Sequence, residues 1–314
     1  MTTCIFCNSE FTASGEGEHI IPDSIGGIIT IPGVCTACNS KMNSLYDNKF
    51  TQEELIKAAR QAYGIESRKR DKVKCFLDKP GELHGNKVIL DESGKPVVLS
   101  NFSCEALEDG RFVVNGVVDK SNIADVIKYL DRNAKKMFST LHPGDTEEQL
   151  EEKVRNLKKQ VIDYCNDDGN ITSSNDSISY KIQISLDIVK KEYCKIAYEF
   201  GFYKLGHRYL ADPCGSLLRD CLNSNSMFDD IPAQILGKLP FNTSQDKHYI
   251  AIVGNCCIIS IFGVHGVVPI SLDASNFVEE RDAMMTIIDP REGSYTEVRF
   301  VDFISVSKNT DEGD

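Results

Sequence analysis

Four cysteines near the start of the chain form two pairs, Cys4-x-x-Cys7 and Cys35-x-x-Cys38. Each two-residue spacer lets two thiolates reach one ion, so the pairs predict a tetrahedral four-cysteine Zn2+ site. With all four positions filled by sulfur, that ion is closed to substrate and acts as a structural staple. The staple encloses a second set of polar residues. These are Glu18-His19-Ile20-Ile21-Pro22, then Ile25-Gly26-Gly27, and, directly after Cys38, Asn39 with Lys41 and Asn43.

The first CxxC, the EHIIP box, the Gly-Gly turn and the CxxCN box occur together over residues 4–50. In this order and spacing they resemble the HNH endonucleases, the ββα-metal nucleases, in their zinc-stapled form. Phosphodiester hydrolysis needs a deprotonated water and a cation to neutralise developing charge. His19, with an imidazole that can be neutral at pH 7, is the natural general base. The resemblance implies a bend at Glu18-His19, so that Glu18 faces a metal ion while His19 faces the water. It implies further that Asn39 opens the helix of the ββα unit and gives the second oxygen. Asn43, four residues on, shares that helical face as a third or supporting group. Hard oxygen ligands with open water positions favour Mg2+ or Mn2+ at this second site. DNA, as duplex, is the implied substrate, cut to 5′-phosphate and 3′-hydroxyl ends. The family's middle Asn falls where this chain has Ile28-Ile29-Thr30-Ile31-Pro32, with Thr30 the one polar side chain, and the final His of the motif is Asn39.

Charge sharpens the nucleic-acid question. The 314 residues carry a formal charge of -12, which argues against a general nucleic-acid coat protein. By region, residues 57–74 hold seven basic and two acidic side chains, while residues 1–56 sum to -5 and 75–314 to -12. Lys41, Arg60, Arg68, Lys69, Arg70, Lys72 and Lys74 are therefore the candidates for phosphate contact, with Tyr63 available for stacking. No basic segment followed by an apolar core appears in MTTCIFCNSEF, so no export signal is expected and a reducing cytoplasmic location is. The apolar stretch 251–273, broken by Asn255, His265 and Pro269, predicts successive buried strands rather than a membrane span.

The elements that must position these residues read as α+β. Hairpins are predicted to turn at Glu92–Lys95 and at Asp109-Gly110. Ile123, Val126, Ile127, Leu130, Ala134, Met137 and Phe138 make one helical stripe ended by His142-Pro143-Gly144. A second helix opens at Asp145 with Glu148 three residues on, with Leu150, Val154, Leu157 and Val161 on one face. Alternation over Ile178–Leu186 predicts a half-buried strand, followed by a helix from about 188 to 203. Asp212-Pro213 opens a helix with Cys214, Leu217, Leu218, Cys221 and Leu222 on one face. Beyond residue 245 the pattern is mostly β, ending in Ser294–Ser305. The run Cys194–Phe200 resembles a segment that accompanies this nuclease type and carries no activity of its own.

The expected organisation is an HNH unit over 1–56, a basic helical connector over 57–80 and an α+β domain over 81–314. The expected function is a metal-dependent DNA endonuclease, restriction-like or anti-phage in role. Two alternatives stand beside it: an effector nuclease gated by a partner protein or a nucleotide signal, and a non-catalytic zinc-ribbon module that only binds nucleic acid. A homo-oligomer is a further open possibility.

Overall fold

Two short antiparallel ribbons lead into the first helix. The computed structural model describes residues 2–12, 17–66, 73–91, 95–106, 112–119, 122–167, 178–224, 233–271 and 282–308. Strand β1 (Thr2–Thr3) pairs with β2 (Glu10–Phe11), and β3 (Glu18–His19) pairs with β4 (Thr30–Ile31). Helix α1 (Thr36–Met42) follows, so β3, β4 and α1 make a ββα unit. A π-helical turn over Asn43–Asp47 carries the chain into α2 (Asn48–Thr51), and α3 (Glu54–Ala62) comes next. Between β3 and β4 the Gly-Gly turn is sterically required. Gly26 has φ +87, and a Cβ on Gly27 would lie 1.8 Å from the Ile21 carbonyl oxygen.

The expected boundaries at 56 and 80 are divisions along the chain; in space, Met1–Cys75 and Gln183–Asp314 form one compact unit and Phe76–Ile182 another. In the latter, β5 (Gly81–Leu83), β6 (Asn86–Leu90) and β7 (Pro96–Val98) form an antiparallel sheet. Strands β8 (Asn101–Ala106) and β9 (Phe112–Val117) pair separately. Residues 92–94 and 107–111, which hold the predicted turns, lie outside the described residues. Helices α4 (Ile123–Leu141) and α5 (Glu147–Asn166) follow, with Val126, Leu130 and Ala134 buried against Val154, Leu157 and Val161. The cap of α5 is Thr146 rather than Asp145. Its hydroxyl accepts from the Gln149 amide while the Gln149 side chain accepts from the Thr146 amide.

The strand expected over Ile178–Leu186 does not form. Only Ser179 pairs, with Glu82, and Leu186 already begins α6 (Leu186–Leu205). Ile182 and Ile184 are exposed, so the alternation has no sheet to bury one face against. Ser185 caps α6 by accepting from the Ile188 amide. After α7 (His207–Leu210), helix α8 (Pro213–Ser224) is capped by Asp212, whose Oδ1 accepts from the amides of Cys214 and Gly215. Cys214, Leu218, Cys221 and Leu222 are buried as expected, but Leu217 is 40% exposed.

A six-stranded antiparallel sheet completes this unit. Its order is β10 (Gln234–Leu236), β13 (Val264–Pro269), β12 (Cys256–Ile261), β11 (His248–Val253), β14 (Met284–Asp289) and β15 (Ser294–Arg299). The apolar stretch 251–273 supplies β12, β13 and the second half of β11, as buried strands. The β reading of Ser294–Ser305 holds only to Arg299, because Phe300–Lys308 is a helix, α9, that buries Phe300 beside Phe241. One apolar core runs from Ile5, Phe6, Ile20 and Ile25 through Tyr193, Ile196 and Tyr198 to Ile250 and Ile259. Tyr198 donates to the Ile5 carbonyl at 2.6 Å and Tyr46 to the Leu222 carbonyl at 2.7 Å. These bonds tie the first 55 residues to the second segment of the chain.

Candidate nuclease site

The sulfur cluster forms because two tight turns face each other. Cys4 lies in a turn closed by Cys4 N–H donating to the Ser9 carbonyl, and Cys35 and Cys38 sit at the start of α1. The four Sγ atoms all lie within 4.8 Å of one another, with Cys7 and Cys35 3.8 Å apart. A tetrahedron with Zn–S bonds of about 2.3 Å requires S···S separations of about 3.8 Å, so the residues fit Zn2+. Burial pushes the Cys4 and Cys38 thiols up, whereas the Ser9 hydroxyl brings Cys7 down to about 6. Zn2+ supplies the positive charge that the buried thiolates need.

The β3–β4 ribbon sorts Glu18 and His19 by the period of two. Glu18 pairs with Ile31 and turns inward, at 3% exposure, while His19 pairs with Thr30 and keeps 20% of its side chain accessible. Thr30, the one polar side chain where the family has Asn, thus stands directly across the ribbon from His19. His19 Nε2 lies 3.8 Å from Asp23 Oδ1, and Asp23 opens the short turn after Pro22. Sequence reasoning passed over Asp23, although its i+4 distance from His19 and the intervening proline were visible.

Inward, Glu18 meets a cation that belongs to the chain itself. Lys195 Nζ, on α6, lies 3.0 Å from Glu18 Oε1, 2.9 Å from Asp47 Oδ1 and 3.3 Å from Glu199 Oε2. It also donates to the His19 carbonyl at 3.2 Å. Glu192 faces Asp47 carboxyl to carboxyl, and neither of its oxygens has a donor among the described residues. Lys195, Glu192 and Glu199 are all fully buried. Burial pushes Glu18, Glu192 and Glu199 above the usual carboxylate range. Burial works against the Lys195 charge, but Asp47, Glu199, Glu192 and Glu18 outweigh it and hold the ammonium well above its ordinary value.

The remaining expected residues are scattered by depth. Asn39 is half-buried on α1 and Asn43 is exposed one turn on, its amide donating to the Asn39 carbonyl. Lys41 is exposed and donates to the Asn223 carbonyl at 2.7 Å. Arg60, expected on phosphate, is instead 5% exposed, on the buried face of α3 that carries Ile56, so its guanidinium does not reach a surface backbone. Lys74 is exposed; Arg68, Lys69, Arg70 and Lys72 lie outside the described residues. His248, buried and brought down to about 4 by desolvation, is neutral and donates from Nε2 to the Ile25 carbonyl at 2.8 Å. That bond pins the loop between β3 and β4 to β11.

Residues 4–55 match the HNH endonuclease family. Comparison with curated proteins and with solved structures gives no match. The matched segment holds Cys4, Cys7, Cys35 and Cys38 together with Glu18, His19, Asn39 and Asn43. HNH enzymes use a divalent metal, and the hard-oxygen site expected here runs through Glu18. As the side chains stand it does not fit: the carboxylate is buried against an ammonium, and a dication beside Lys195 would be a second uncompensated charge at the same oxygen. Among the described residues, no helix is long and apolar enough to cross a membrane.

Proposed function

We propose that this chain is an endonuclease that hydrolyses DNA phosphodiester bonds, with His19 as the general base. The observation that carries the reading is the match of residues 4–55 together with a His19 imidazole that reaches solvent beside Asp23. A neutral imidazole there takes the proton of an attacking water, and the Asp23 carboxylate at 3.8 Å stabilises the imidazolium that forms. Asn39 does not open the helix as expected: α1 begins at Thr36, and Asn39, half-buried and 20 positions after His19, supplies a polar side chain from its middle. The zinc cluster fixes the start of that helix against the first turn. Of the cations expected on phosphate, Lys41 and Lys74 are the described ones on the surface and available to a phosphate backbone. A restriction-like or anti-phage role is the biological setting we infer.

A plasmid-nicking assay with EDTA, Mg2+ and Mn2+ tests this reading. His19→Ala is expected to be inactive, while remaining folded, under every divalent-ion condition in which wild type nicks. Equal cleavage by both proteins would remove His19 from the mechanism. DNA retention without cleavage in any condition would favour the zinc-ribbon alternative. The gated-effector alternative draws support from the seat of Glu18: a nuclease whose acidic residue is held by an internal lysine is at rest.

A further inference from the structure

We propose that Lys195 is the resident cation of the Glu18 carboxylate, so that a divalent ion can bind there only after the Lys195 ammonium has left. Four oxygens surround Nζ within 3.3 Å, from Glu18, Asp47, Glu199 and the His19 main chain. They come from β3, the π-helical turn and α6. An ammonium carries three N–H donors, fewer than the four oxygens that face it. The donor set is also what a hard dication selects, carboxylate and carbonyl oxygen. Such an ion holds its ligands at about 2.1 Å, closer than an ammonium nitrogen does, so the two occupants need different positions of the same oxygens.

The charge balance supports the exchange. Four carboxyl groups converge on one lysine, and Glu192 and Glu199 keep oxygens that no donor reaches. Once the ammonium has left, these carboxyl groups remain as the oxygens that a replacement cation would meet. Lys195 is held from the middle of α6, and it grips the backbone of His19 as well as the side chain of Glu18. Withdrawal of that one side chain would free the carboxylate and release the strand carrying the base together. Helix α6 lies wholly outside the segment that matches the HNH family, so control of the acidic residue sits in a different part of the sequence. The inference borrows from the proposed function only the identity of the competing ligand; cation binding is read apart from cleavage.

The probe is Mn2+ alone, titrated by EPR and calorimetry into the full chain with its zinc retained. Wild type and Glu18→Gln are expected to bind Mn2+ within twofold of each other, because no ion reaches Glu18 in either. Lys195→Met, which keeps the length of the side chain without the charge, is expected to gain a site at least tenfold tighter. Adding Glu18→Gln to that variant is expected to abolish the gain. Loss of Mn2+ binding in the Glu18→Gln single variant would overturn the proposal, since Glu18 would then hold the ion beside Lys195. A folded Lys195→Met with the wild-type titration curve would overturn it equally. Should Lys195→Met not fold, the comparison of wild type with Glu18→Gln decides alone. Absence of nicking in every variant would count against the nuclease reading and leave the Mn2+ result intact.

Discussion

Two cation seats draw on the first 50 residues, and they are built on opposite plans. The sulfur seat takes all four ligands from two short local motifs, near the surface, with turns that preset the geometry. The oxygen seat draws Glu18, Asp47, Lys195 and Glu199 from three elements, in the interior, and fills itself with a side chain. Local motifs that await an external ion make folding depend on that ion. A seat with an internal cation makes the ion's place depend on folding, because only the assembled core brings Lys195 there.

The strongest way to break this comparison is metal removal. Chelation, or Cys38→Ser, is expected to cost the ββα unit its fold, as structural zinc supplies on the order of 10 kcal/mol. Elemental analysis should find one zinc per wild-type chain and circular dichroism should show the loss. Truncating the other cation comes next. Lys195→Ala leaves buried carboxyls uncompensated and should destabilise by roughly 3–5 kcal/mol in urea; a change under about 1 kcal/mol would mean that the seat is solvated.

A smaller effect follows from pH. His248 has an ordinary value of 6.5 and about 4 in the fold, so between these the unfolded chain takes up a proton that the folded one refuses. Stability is therefore full above pH 6.5 and falls as pH drops to 4, by roughly 3 kcal/mol. Glu192 and Glu199, pushed upward, act with the opposite sign, so the quantity to measure is wild type minus His248→Gln. The smallest change in stability is expected from His19→Ala. Its melting temperature should stay within about 2 °C, because the side chain is partly exposed, while nicking falls roughly 10²–10⁴-fold.

The same contrast explains what could be read from the sequence. The zinc ligands, the ββα unit, the helical pair in Phe76–Ile182 and the buried strands of 251–273 follow from spacing and period. Asp212 before Pro213 announced α8, and its carboxylate is spent on the cap and on Ser271. Lys195 was not legible. Glu192, Lys195 and Glu199 stand at i, i+3 and i+7 and share a face, but charges on a helix normally mark the solvent side. Here the helix is surrounded: its residues from Glu192 to Gly201 are all buried. Nothing local says that a helix is enclosed, just as nothing in Ile178–Leu186 says that its alternating face has no sheet beside it. Arg60 misled for the same reason.

Chain order gives the fold a temporal meaning. During synthesis the nuclease signature leaves the ribosome before α6 does, yet Ile5 waits for Tyr198 and Tyr46 for Leu222. The whole of Phe76–Ile182 must be translated in between. At about 5–20 residues per second that interval is on the order of ten seconds. Throughout it the early segment carries Glu18 and His19 without the core that seats them. A cell that makes this protein thus passes through an interval in which the HNH-matching segment exists without its finished fold.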